Sequence, residues 1–91
     1  MAKRRNSADL ISDRDIVESR FFAEGKKLAS DYLRGLDADV ARARYSAILK
    51  LVRLLGYKDD WISKANERCV REVERETHLS DKLLRDRFPN I

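Results

Sequence analysis

The stretch DVARARYSAILKLVRLL, residues 39–55, decides the fold. Val40, Ala41, Tyr45, Ala47, Ile48, Leu51, Val52, Leu54 and Leu55 recur three and four residues apart, the periodicity of a helix, and no segment of the chain sustains the alternation of a strand. Asp37 is placed to cap this helix and Gly56 to stop it. On a helical wheel Asp39, Arg42, Ser46, Lys50 and Arg53 share a stripe of roughly 80°, and nearly everything else is apolar. Arg44 is the exception, pointing into the apolar arc near its beginning. Such a helix wants neighbours on three sides, and a small bundle offers only two other long helices. The surplus predicts burial against a second copy or another protein.

Outward from this stretch the same periodicity recurs. Before it, Val17, Phe21, Leu28 and Tyr32 stand beside Phe22, Ala29 and Leu33, with Arg20, Glu24, Lys27, Asp31 and Arg34 expected on the opposite, solvated face. Ser12 and Asp15 resemble a weakened capping box at the start, and Gly35 ends the helix. Gly25 falls within the apolar face, where it either admits a close backbone or divides the helix. After it, Asp59 or Asp60 starts a third helix with Trp61, Ile62, Ala65, Cys69, Val70 and Val73 inward and a charged outer face that includes Glu67 and Arg71 at i, i+4. Ser80 is the expected cap of a last short helix, with Leu79 stapled onto Leu84 and Pro89 as terminator. Whether the third helix instead runs on to Phe88 stays open.

The expected fold is therefore all-α: three main helices and a short C-terminal one forming a single domain over residues 9–91, preceded by a flexible basic arm at 1–8. Ninety-one residues suffice for one small domain, which buries only about 60–65% of its unfolded surface, so an enclosed active site is not expected. The lone Cys69 excludes an internal disulfide framework and points to an intracellular, cytoplasmic setting, with no membrane span or signal segment in view. The net charge of +4 owes three units to Lys3, Arg4 and Arg5, leaving 17 basic against 16 acidic residues elsewhere.

Catalytic constellations are lacking. His78 is the only imidazole, Arg75 stands where a Glu-x-x-His metal pair would need its carboxylate, and Cys69 lies in an apolar stripe suited to a small buried residue. The pairs Asp37 with Asp39 and Asp59 with Asp60 sit at helix starts, where carboxylates serve orphan N–H groups and the helix dipole. No glycine-rich phosphate cradle is present. No enzyme activity, cofactor, metal or small-molecule substrate is expected. A helix-turn-helix across Gly56 would present Asp59 and Asp60 to phosphate-flanked DNA, the wrong charge for recognition.

Two function classes remain. The first is a regulatory or adaptor protein acting through helix-mediated binding or self-association. Its interface would be drawn from Arg44, Leu49, Leu51 and Leu54, with Tyr57 and Trp61 as aromatic anchors if they stand partly exposed rather than in the core. Arg44 would then pair with a carboxylate on the partner. The second is a small DNA- or RNA-binding accessory protein holding phosphates with Lys3, Arg4, Arg5, Arg42, Lys50 and Arg53. The competing reading of those cations is a solvated tail and the wet edge of an otherwise buried helix.

Overall fold

A computed structural model describes residues 13–91, and these residues are all-α. The helices are α1 (Asp13–Leu33), α2 (Asp39–Leu54), α3 (Asp59–Thr77) and the short α4 (Lys82–Arg87). The basic arm with Lys3, Arg4 and Arg5, and Ser12 of the expected capping box, lie outside the described residues.

Asp13 and Asp15 place negative charge against the positive end of α1. The helix ends in a Schellman turn: at Gly35, with φ +70°, its N–H reaches Tyr32 O at 3.1 Å and that of Leu36 reaches Asp31 O at 2.9 Å. The same motif closes α2 at Gly56, where the Gly56 and Tyr57 N–H groups bond Arg53 O and Val52 O. Asp37 accepts the Asp39 N–H at 2.9 Å and so serves the start of α2 as expected, although the N-cap position itself is Ala38. At the start of α3 the N-cap Lys58 makes no side-chain cap bond, and Asp59 and Asp60 occupy the first turn.

The open question about α3 is resolved at His78. Its φ of 60° is left-handed and its N–H bonds Glu74 O at 2.9 Å, so α3 stops there and α4 is a separate helix. The cap of α4 is Asp81 rather than Ser80: the Asp81 carboxylate accepts the Leu83 and Leu84 N–H groups at 2.7 and 3.3 Å. Leu79 is exposed while Leu84 is fully buried, so the expected staple is not seated either. An L-residue in the left-handed region costs about 1–2 kcal/mol, which glycine largely avoids. His78→Gly should therefore stabilise the fold by about 0.5–1 kcal/mol in urea unfolding, after the added flexibility of the unfolded chain is offset. A loss of stability would show that the imidazole makes a contribution beyond capping.

Helix α1 lies between α2 and α3, whose Cα atoms nowhere come within 8 Å of each other. They do not pack as the two halves of a helix-turn-helix. Side chains bridge the gap instead. Tyr45 on α2 donates its hydroxyl to Asn66 on α3, and its ring meets Phe88 at 5.8 Å between centroids. Phe21 is fully buried where the three long helices meet, with Tyr45 and Trp61 at 5.4 and 5.5 Å. A second cluster of Ala29, Val70, Val73 and Leu84 seats α4, and Phe88 and Ile91 pack against both clusters.

Two expectations about α1 are corrected. Gly25 does not divide the helix, and what approaches it is a pair of side chains: an added Cβ would lie 2.7 Å from Cys69 Sγ and 3.7 Å from Tyr45 Cε1. Glu24 and Asp31, assigned to the solvated face, are buried. They sit on the flank of α1 that α2 covers, and each is compensated. Glu24 Oε2 accepts from both Arg20 and Arg44 at 3.3 Å, and Asp31 accepts from Lys27 at 2.9 Å.

Candidate functional site

Helix α2 buries Ala41, Tyr45, Ile48 and Val52 and leaves its other apolar side uncovered. Val40 is 71% exposed, Leu51 40% and Leu54 84%, with Ala43 and Ala47 exposed among them and Leu36 and Leu55 exposed at the two ends. Along the helix Val40, Arg44, Ala47, Leu51 and Leu54 are separated by alternating steps of four and three residues, the spacing of a coiled-coil seam. At 100° per residue the exposed apolar arc spans roughly 120°.

The residues expected at an interface divide across this geometry. Arg44, Leu51 and Leu54 share the seam. Leu49 lies on another side of α2, half-buried against the core. Tyr57 is a correction: it is buried, its hydroxyl donates to Glu18 at 2.6 Å, and the Arg14 guanidinium lies 4.3 Å over its ring. Its place just past Gly56 in the closing turn carries the side chain back into the same core as Val52. Trp61 is half-buried in a ring cluster with Tyr57 at 4.5 Å and Phe22 at 6.0 Å, off the α2 seam. The Arg44 carboxylate partner is found within the chain, at Glu24. Val40 and Ala47 were not singled out as site residues, although the seven-residue interval from Val40 through Ala47 to Leu54 is visible in the sequence.

The basic stripe is less free than its spacing implies. Arg42 pairs with Asp39 at 3.0 Å and donates to Ile91 O at 3.2 Å, whereas Lys50 and Arg53 are exposed and make no salt bridge among the described residues. A groove of about 590 Å³ between α3, α4 and Arg53 has Ile62, Val70 and Phe88 among its lining residues. Cations at its edge are already neutralised, Lys64 by Asp60, Arg71 by Glu67 and Arg85 by Glu74.

Cys69 is fully buried and its thiol donates weakly to Phe22 O at 3.8 Å. Burial pushes the thiol up to about 12, and burial likewise pushes Tyr45 to about 12. Both groups release their protons from the unfolded chain first, so the stability they support is complete below about pH 9 and declines as pH rises toward 12. Cys69→Ala should lower stability at neutral pH through lost packing yet flatten the alkaline decline, as read from urea midpoints between neutral and high pH. An unchanged alkaline slope would remove the thiol from this account. His78, at the surface end of α3, is exposed, and replacement by Gln should leave binding unaltered.

Among the described residues no group of three or more His, Cys, Asp or Glu side chains is arranged to hold a metal ion, and no helix is long and apolar enough to cross a membrane. Comparison of the chain with known protein families, curated proteins and solved structures finds no match.

Proposed function

We propose that the protein is a non-enzymatic regulatory or adaptor module that works by binding, with the outer face of α2 seating a helix of a protein partner. The observation carrying this reading is the exposed seam of Val40, Ala47, Leu51 and Leu54 around Arg44. Fully covering a large aliphatic side chain contributes about 1.5–3 kcal/mol. The seam and Leu55 thus offer at most on the order of 10 kcal/mol gross, against roughly 4–15 kcal/mol for lost freedom on association. Such a balance suits a reversible regulatory contact. Arg44 brings to an interface its contact with Glu24, a carboxylate it shares with Arg20, so its charge is partly compensated there.

Nucleic acid is the weaker reading, since within the described stripe only Lys50 and Arg53 remain without an ion pair, and phosphate binding draws on several uncompensated cations.

Capture with the tagged 91-residue chain, alongside Leu54→Asp and after nuclease treatment, tests the choice. The expected result is a protein, which includes a differently tagged copy of this chain, retained by the wild type and lost by a variant whose circular dichroism is unchanged. Recovery insensitive to the substitution, or abolished by nuclease, would count against a protein-binding face.

A further inference from the structure

We infer that the occupant of the α2 face is a second copy of this chain, the two α2 helices packing antiparallel about a two-fold axis at Ala47. This rests on the reading of α2 as a binding face and names what covers it.

The seam is symmetric where symmetry matters. Val40 and Leu54, its two most exposed large apolar residues, lie seven positions either side of Ala47. In an antiparallel pair Val40 of each copy meets Leu54 of the other, so a single docking covers both twice over, as an isologous contact requires. Ala47 at the crossing point is small enough for the helices to approach closely.

Charge selects the same direction. Asp37 and Asp39 stand at the start of α2, with Asp39 already paired to Arg42, so the acidic excess there is the carboxylate of Asp37; Lys50 and Arg53, which have no ion pair among the described residues, stand toward its end. Asp39 and Lys50 border the seam on one flank, with Arg53 just beyond. Antiparallel pairing sets the acidic end of each helix beside the basic end of the other and opposes the two dipoles. A parallel pair would align the two dipoles and set this charged flank, with Lys50, beside the Arg44 flank of the other copy. Arg44, which borders α1, shares the Glu24 carboxylate with Arg20, and in an antiparallel pair its two copies stand about 9 Å apart along the axis, so the guanidinium groups do not meet.

The test is sedimentation of the full chain at rising concentration, combined with oxidative cross-linking of single substitutions. Cys69 is buried, so the wild type serves as the uncross-linked control once the oxidation is quenched by denaturing directly into excess alkylating reagent. Ala47→Cys should form a covalent dimer rapidly. Val40→Cys should not link to itself, because its two copies lie about 21 Å apart along the pair, but should link to Leu54→Cys when the two are mixed. Leu54→Asp should raise the dimer dissociation constant about 30-fold or more, and Leu51→Asp should act alike. Self-linking of Val40→Cys as fast as that of Ala47→Cys would overturn the antiparallel arrangement. A monomer at every concentration would overturn the dimer. If that monomer still captures another protein in a Leu54-dependent way, only the choice of occupant fails; if it captures none, the binding face fails with it.

Discussion

Phe21→Ala is expected to remove more stability than any other single truncation, about 3–5 kcal/mol. The ring is fully buried and touches all three long helices, with Tyr45 of α2 at 5.4 Å and Trp61 of α3 at 5.5 Å. Because the Cα atoms of α2 and α3 stay more than 8 Å apart, the cavity left by the ring does not close by a small inward shift of either helix. The tilted aromatic pairs add roughly 0.5–1.5 kcal/mol each beyond the area they bury. Against a total of about 5–13 kcal/mol for a chain of this length, the loss would consume a large share of the fold's margin. Urea unfolding followed by far-ultraviolet circular dichroism measures it directly, and Trp61 fluorescence reports on the same site. A change below about 1 kcal/mol would mean that Phe21 is not the keystone its contacts indicate.

Gly25→Val should be the most damaging insertion of atoms, costing about 3 kcal/mol. A Cβ at this position would stand 2.7 Å from Cys69 Sγ, closer than real Cβ atoms come to a neighbour, and valine adds two methyl groups beside Tyr45. Alanine brings opposing effects together: it gains about 1 kcal/mol of helix propensity and still meets the sulfur. The sharper experiment is a double-mutant cycle. In the Cys69→Ala background, Gly25→Ala should become stabilising, because the clash is gone and the propensity gain remains. If Gly25→Ala destabilises equally in both backgrounds, the sulfur contact does not explain the glycine.

The helices themselves were legible in the sequence because their determinants are local. Gly35 and Gly56 close turns whose hydrogen bonds reach back no more than five residues, and the apolar spacing around Phe21, Ile48 and Val70 repeats within each helix. His78 was harder to read, since a non-glycine stop depends on a left-handed residue that composition does not advertise. The α4 cap was misplaced by one residue because Ser80 and Asp81 are both competent, and only the backbone path decides which side chain reaches Leu83 and Leu84.

Burial belongs to pairs of elements, and that is where reading the wheel alone reached its limit. A wheel orders side chains around one helix and says nothing of the angle at which a neighbour docks. Glu24 and Asp31 therefore read as solvated although α2 covers that flank of α1, and the wheel left Tyr57 open between core and surface, a choice that the closing turn of α2 makes by carrying it inward. The excess of apolar surface on α2 was determined by sequence, because it is a property of composition and period. Which of the expected residues share the exposed face, Arg44, Leu51 and Leu54 together with Val40 and Ala47 but neither Leu49 nor Tyr57, was decided by tertiary structure: α1 covers only one side of α2, and α3 stands too far away to cover the other.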